Sequence, residues 1–224
     1  MLGLTPGSHL GDVLGGEKTL AEVTVNTPDG VCVIPAGSGI RALTTLSLPQ
    51  RQRLSEIIDE ASAQLDFLLV DTAPGVSDNV IDLAGLSDRV MVVASYEPTA
   101  IVDAYAVIKL LMTADPDREV GVVVNAARDA DQGELVFRQL SAAATRFLGV
   151  RLRYYGFIIR DAAVGESVLE QRPVVSRLPD APASRTRTRS IAWRALRLTA
   201  LIACADGAVG RERWLGRLLW IALA

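Results

Sequence analysis

The stretch Leu65 to Gly75, LDFLLVDTAPG, is the most informative part of the sequence. Apolar residues lead into Asp71 and then into a turn at Pro74-Gly75. An aspartate at the carboxyl end of a central parallel strand lies at the rim where open α/β sheets bind ligands, and there it can hold Mg²⁺ directly or through water. The glycine lets backbone N–H groups approach a phosphate. The same pattern also fits a strand that ends in a solvated Asp-Thr turn.

Short β-branched apolar runs alternate with longer segments of helical period along the rest of the chain. This pattern is typical of a doubly wound α/β domain with a mainly parallel sheet and helices on both faces. The predicted strands are Val31–Pro35, Phe67–Asp71, Val90–Ala94, Val120–Asn125 and Tyr155–Ile159. The predicted crossover helices are Pro49–Leu65, Pro98–Ala114 and Gln132–Leu148.

Composition excludes several classes of function. The 224 residues are 50% hydrophobic and 22% charged with a net charge of −3, which suits a globular core and not a nucleic-acid-binding polycation. A single histidine and two distant cysteines argue against zinc sites, Cys/His or Ser/His nucleophiles and disulfides. The sequence shows neither a signal peptide nor an apolar run of about 18 residues, so a cytoplasmic protein is expected.

Further motifs accompany LDFLLVDTAPGVSDNV (65–80) in a fixed order. They are MLGLTPGSHLGDVLGGEKTLAEV (1–23), GVCVIPAGSG (30–39), ASYEPTAIVDAYAVIKLL (94–111), VVVNAARD (122–129) and YYGFIIRDAAVGESVLEQRPVVSRLPDAPASR (154–185). Together they resemble the MinD/ParA group of deviant-Walker ATPases, and in particular its flagellar-number regulators of the FlhG or FleN type. The resemblance runs from residue 1 to about residue 189, with Ile159 standing where the family usually has proline.

This resemblance implies an ATPase that forms a homodimer around two nucleotides, with ATP and Mg²⁺ as cofactors. It further implies attachment to the inner face of the cell membrane and regulation of the place or number of a cell structure. Protein partners such as a flagellar GTPase or a transcription activator are expected, and nucleic acid is not. The implied site has Asp71 on the Mg²⁺ side through water, Thr72, Ala73, Pro74 and Gly75 in the γ-phosphate switch, and Asn125, Arg160 and Asp161 around adenine.

The phosphate-binding loop of that family has no counterpart in the sequence. In GDVLGGEKT (11–19), Gly16-Glu17 displaces Lys18 from the required position and no hydrophobic strand precedes the string, so a surface helix or turn is expected instead. The resemblance implies that an N-terminal strand-helix-strand unit is missing, whose first strand would lie between 67–71 and 90–94. Unpaired strand edges and little or no ATP hydrolysis by the isolated chain are therefore expected.

Three hypotheses stay open for this chain. It is a fragment whose full product has an upstream phosphate loop, or a degenerate relative that serves as a non-catalytic adaptor. The presence of Asp71, Thr72 and Asn125 favours the fragment, because a protein that binds no nucleotide has no need of them. A chromosome or plasmid partition protein is the third hypothesis, and EPTAIVDAY (97–105) speaks against it.

The chain becomes basic after about residue 182. Arg185–Arg217 contains eight arginines and two acidic residues. Residues 190–224 are predicted to form two basic helices, a core helix over Ser190–Ala205 and an amphipathic helix over 211–224. The second helix is expected either to pack on the core or to dock on an anionic membrane. Its predicted membrane face consists of Trp214, Arg217, Leu218, Trp220 and Ile221.

Overall fold

The computed structural model describes residues 3–27, 30–36, 47–62, 65, 67–72, 78–190, 198–203 and 218–222. They form two compact units. Of the described residues, those within 5–88 form the Asp71 unit together with 198–203 and 218–222. Residues 3–4 and 89–190 form the Asn125 unit. Each unit combines parallel strands with helices, which confirms the α/β class that the sequence predicts.

The Asp71 unit is built around a parallel strand that ends at Asp71-Thr72. Its elements are α1 (Leu10–Leu14), α2 (Leu20–Val23), β1 (Val25–Asn26), β2 (Val31–Pro35), α3 (Leu48–Ser62), β3 (Phe67–Thr72), α4 (Asp78–Gly85), β7 (Leu198–Ala203) and β8 (Leu218–Ala222). The strand order is β1-β2-β8-β3-β7. β1 is antiparallel to β2 and the other neighbours are parallel, so the carboxyl ends of β2, β3, β7 and β8 share one edge.

The C-terminal segment differs from the two predicted helices. β7 pairs with β3 over all six residues of β3, and β8 pairs with β3 on its other edge and with β2. The helix predictions are therefore wrong over residues 198–203 and 218–222. LTALIA and LLWIA are short apolar runs that suit a buried strand as well as a helix, and hydrogen-bond partners on both edges of β3 favour the strand.

Residues 218–222 of the predicted membrane-docking helix form a strand instead. Leu218, Trp220 and Ile221, which the amphipathic pattern assigns to the membrane face, are consecutive or near-consecutive positions of β8. Trp214 and Arg217 lie outside the described residues. The expectation of open edges on β3 is likewise wrong, because β7 and β8 cover both.

The Asn125 unit is built on three parallel strands in the order β4-β5-β6. Its elements are β4 (Arg89–Ala94), α5 (Pro98–Ala114), β5 (Val120–Ala127), α6 (Ala130–Leu148), β6 (Arg153–Ile159), α7 (Ala162–Leu169), α8 (Val174–Arg177) and α9 (Pro182–Ser190). Val122 of β5 lies opposite Val92 and Tyr154 and is fully buried, together with Ile108 of α5 and Leu140 of α6. No helix within the described ranges is long and apolar enough to cross a membrane.

The strands and helices predicted for residues 1–189 are confirmed. Val31–Pro35 and Pro98–Ala114 have the predicted bounds, and the other predicted elements agree within a few residues at each end. β5 extends two residues beyond its predicted end at Asn125, to Ala127. The continuous burial of β5 from Val120 to Val124 explains its unbroken apolar run, because helices cover such strands on both faces.

Glu119 joins the amino ends of the three strands. Its carboxylate lies 3.0 Å from the Arg153 guanidinium and 3.8 Å from that of Arg89, and it accepts a hydrogen bond of 3.2 Å from the Tyr155 hydroxyl. Burial, followed by the negative charge of Glu119, raises the pKa of Tyr155 above its ordinary value. A polar network therefore connects the strands at their amino ends. A ligand site is expected at the opposite end, because open α/β sheets bind ligands at the carboxyl ends of their strands.

Candidate functional site

The carboxyl end of β3 holds the two residues that the sequence singles out most strongly. Asp71 is 6% exposed and Thr72 is 3% exposed. The Thr72 hydroxyl has no hydrogen-bond partner within the described part of the chain. A buried hydroxyl without a partner is costly, so this position fits a bound ligand better than a purely structural role. Ala73, Pro74 and Gly75 lie outside the described residues.

The magnesium assignment fits this donor set. Mg²⁺ prefers oxygen ligands and keeps several waters, so one carboxylate and one hydroxyl beside substrate phosphates suffice. Among the described residues no three His, Cys, Asp or Glu side chains form a metal cluster, so a metal cage made of protein side chains is not present there. Asp71 and Thr72 are the residues that would hold the ion.

The end of β5 has an unusual backbone. Ala126 has φ of +54°, a left-handed conformation that a non-glycine residue rarely adopts, and the register between β5 and β6 shifts between Val124 and Ala127. The resulting bulge interrupts the ladder next to the half-buried Asn125. Bulges and left-handed residues of this kind re-aim side chains near ligand sites.

The loop after β6 is fixed to the same bulge. The backbone N–H of Arg160 donates a hydrogen bond of 2.7 Å to the carbonyl of Ala127, and the Arg160 side chain is exposed. Asn125 and Arg160 are therefore brought to one end of the Asn125 unit, as the sequence predicts for parallel strands. Their contact with adenine stays a prediction.

Asp161 has two hydrogen bonds that the sequence does not indicate. One carboxylate oxygen accepts from the Ala163 N–H at 3.0 Å and caps α7, and the other accepts from the Ala183 N–H at 3.1 Å, at the start of α9. Both oxygens are therefore engaged by backbone amides. The Asp161 carboxylate therefore joins the starts of α7 and α9, and its place beside adenine stays a prediction.

The sequence analysis did not identify two local features near the site. The left-handed conformation of Ala126 has no sequence signal, since alanine is disfavoured there. Asp129 caps α6 by accepting from the Gln132 N–H at 2.8 Å, and this bond, with that from Arg128, lowers the pKa of the Asp129 carboxyl. The pattern Asp129-x-x-Gln132 is a helix-start signal that could have been found.

The string Gly11–Thr19 is not a phosphate loop. It contains the last four residues of α1, a turn through Gly15 and Gly16, and the residues that lead into α2. The structure describes no strand directly before it. The Lys18 ammonium donates to the Ser8 hydroxyl. The surface helix and turn predicted for this string are confirmed.

No family model matches the chain. The chain is similar to the antiactivator FleN of Pseudomonas aeruginosa, with 38% identity over 184 residues that cover 82% of this chain and 66% of FleN. It is also similar to the flagellum site-determining protein YlxH of Helicobacter pylori, with 27% identity over 77% of this chain and 58% of YlxH. The uncharacterized ATP-binding protein MJ0547 of Methanocaldococcus jannaschii is 24% identical over 79% of the chain and 62% of its own length.

Among solved structures, the chain matches the septum site-determining protein MinD of Pyrococcus horikoshii, complexed with Mg-ADP. The TM-score is 0.66 at 19% identity, over 83% of this chain and 73% of that chain, which shows a shared fold. The chain spans about two thirds or less of the length of the curated relatives that it matches. Through its identity with FleN and this fold, the chain belongs to the MinD/ParA family as a FleN-like member.

Proposed function

We propose that this chain regulates the number or placement of flagella by acting on a transcription activator. The 38% identity with FleN, whose name describes an antiactivator, carries this proposal, and the similarity to YlxH, a flagellum site-determining protein, supports it. The homodimer that the family resemblance implies is part of the same proposal.

The nucleotide of this regulator is an adenine nucleotide with Mg²⁺. Asp71 and Thr72 would hold the Mg²⁺ side, and Asn125 and Arg160 the adenine side. The buried Thr72 hydroxyl and the bulge beside Asn125 support these roles. When bound, Mg²⁺ would supply positive charge against the phosphates.

The 224 residues by themselves are proposed to bind the nucleotide weakly and not to hydrolyse it. Phosphoryl transfer depends on positioning and charge neutralisation, for which this family uses a phosphate-loop lysine. The sequence contains two lysines, of which Lys18 bonds to Ser8 and Lys109 is exposed on α5. Neither lies in a phosphate loop. Phosphate release above the rate of Mg-ATP alone, abolished by Asp71→Ala, would contradict this proposal.

Replacing Thr72 by valine is expected to separate stability from nucleotide binding. The substitution keeps the shape but removes the unpartnered buried hydroxyl, so the free energy of unfolding rises by about 1 kcal/mol. Millimolar Mg-ATP is expected to raise the thermal midpoint of the wild-type chain but not that of the variant, because the variant lacks the Mg²⁺-side oxygen. Differential scanning fluorimetry with and without Mg-ATP measures both effects.

The matched control is Thr72→Ser, which keeps the hydroxyl and loses a methyl group. It is expected to lower stability and to preserve the response to Mg-ATP. A Thr72→Val variant that still responds to Mg-ATP would show that Thr72 is not on the Mg²⁺ side. A valine variant without any gain in stability would show that the hydroxyl finds a partner in the free protein.

Expression of the chain in Pseudomonas aeruginosa tests the regulatory function. An additional antiactivator is expected to reduce the mean number of flagella per cell, counted by electron microscopy, relative to cells with the empty vector. An unchanged number at confirmed expression would overturn the proposal. The Asp71→Ala variant distinguishes a nucleotide-dependent regulator, which loses the effect, from a nucleotide-independent adaptor, which keeps it.

A further inference from the structure

Asp161 connects two parts of the Asn125 unit that are far apart in the sequence. Its bond to Ala163 is local and caps α7, but its bond to Ala183 spans 22 positions and reaches the first turn of α9. Ala183 and Ser184 are each only 2% exposed, and α9 packs against β6. The carboxylate therefore joins the start of a docked helix to the loop that follows β6.

The same loop is also attached on its other side. The N–H of Arg160 bonds to the carbonyl of Ala127, directly after the left-handed Ala126. Arg160 is thus hydrogen-bonded to the β5 bulge, and its neighbour Asp161 is hydrogen-bonded to the start of α9. The strained bulge costs free energy, and such conformations persist where the surrounding structure holds them.

We propose that Asp161 is a positioning residue: it fixes the Arg160 loop and the β5 bulge in place for an adenine base by anchoring them to α9, and it does not itself contact the base. This inference rests on the proposed nucleotide function. Both carboxylate oxygens already accept from backbone amides at the starts of α7 and α9, so these two bonds set the orientation of the carboxylate. Base recognition is left to Asn125.

Hydrogen exchange of the nucleotide-free chain tests the anchor. Asp161→Asn keeps one carbonyl oxygen and replaces the other by an NH₂ group, so it can accept from only one of the two amides. Asp161→Ala accepts from neither. In Asp161→Ala, amide exchange at both Ala163 and Ala183 is expected to accelerate about fivefold to thirtyfold. In Asp161→Asn, only one of these two amides is expected to exchange faster.

Asp129→Asn is the matched control, because Asp129 is also a helix cap after a strand of the same unit but bonds locally to Gln132. It is expected to change exchange near Gln132 and to leave Ala183 unchanged. Unchanged Ala183 exchange in Asp161→Ala would overturn the anchor.

Titration with adenosine and inosine, followed by backbone amide chemical shifts, tests the role in base binding. Inosine lacks the exocyclic amine, so the ratio of the two affinities reports on the group that contacts this amine. Both Asp161 variants are expected to bind adenosine more weakly but to keep the preference for adenosine over inosine, whereas Asn125→Ala loses the preference. The amides of Asn125–Ala127 and Arg160 are expected to shift.

The outcomes distinguish this inference from the proposed function. A wild-type chain whose Asn125 and Arg160 amides do not respond to adenosine would overturn the adenine assignment and, with it, the nucleotide role of Asp161. A wild-type chain that responds, together with an Asp161→Ala variant that loses the adenosine preference, would overturn only the inference, because Asp161 would then contact the base. Equal adenosine affinity of wild type and both variants would also overturn it.

Discussion

Shortening the chain to end at Gly210 is expected to unfold the Asp71 unit. The deletion removes β8, which pairs with five residues of β2 and five of β3. Two parallel strands would then expose unpaired N–H and C=O groups and apolar side chains along their facing edges, which promotes aggregation. The lost pairing and burial are large against a typical stability of about 5–15 kcal/mol. The soluble fraction on expression and hydrogen exchange at Leu68–Val70 measure the effect.

A chain ending at Ala222 is the control, because it keeps the whole of β8. It is expected to match the full-length chain in solubility and exchange. The opposite result would restore the amphipathic-helix hypothesis: a Gly210-terminated chain with unchanged exchange in β3 that loses binding to anionic liposomes would show that the last residues serve a membrane and not the sheet.

Gly121→Ala is expected to have the second-largest effect. A Cβ atom at Gly121 would overlap three atoms of the Tyr155 ring. The ring cannot easily move away, because its hydroxyl bonds to Glu119, and Tyr155 falls at the point where the register between β5 and β6 shifts. Overpacking here is expected to cost about 3 kcal/mol. The thermal midpoint should fall by about 6–12 °C in calorimetry or circular dichroism.

Gly165→Ala is the matched control in the same unit. Gly165 lies inside α7 with nothing within 4 Å of an added Cβ, so alanine should stabilise the chain by about 0.5–1 kcal/mol through helix propensity. In a Tyr155→Ala background, Gly121→Ala should cost much less than alone, since the clash is gone. Additive effects of the two substitutions would contradict the proposed overlap.

The five strands and three crossover helices predicted within residues 1–189 could be found because local patterns and tertiary structure agree there. Pro98–Ala114 begins with proline at the first helical position, and its buried residues recur at helical spacing. β5 reads as a continuous apolar run because both faces are covered. Such patterns report on burial, and burial determines the element type when a segment is long and periodic.

The C-terminal strands were not predictable for the opposite reason. LTALIA and LLWIA are too short to distinguish a helix from a strand by periodicity, and nearby arginines and tryptophans favoured an amphipathic helix. Their conformation depends on β2 and β3, which lie more than 100 residues away in the sequence. The hydrophobic pattern of residues 211–224, from which the amphipathic helix was predicted, contains no information about such partners.

For the site, the sequence alone determined the residue types and their order: Asp71-Thr72 after one buried strand, Asn125 after another, and Arg160-Asp161 after a third. Within the Asn125 unit, parallel strands place the carboxyl ends that carry Asn125 and Arg160 at one edge. Only the tertiary structure decided what the side chains do there. In the structure the Thr72 hydroxyl has no hydrogen-bond partner among the described residues, Ala126 adopts a left-handed conformation, and both oxygens of Asp161 accept hydrogen bonds. These features depend on neighbours that are distant along the chain, because hydrogen bonding and burial are set by tertiary contacts.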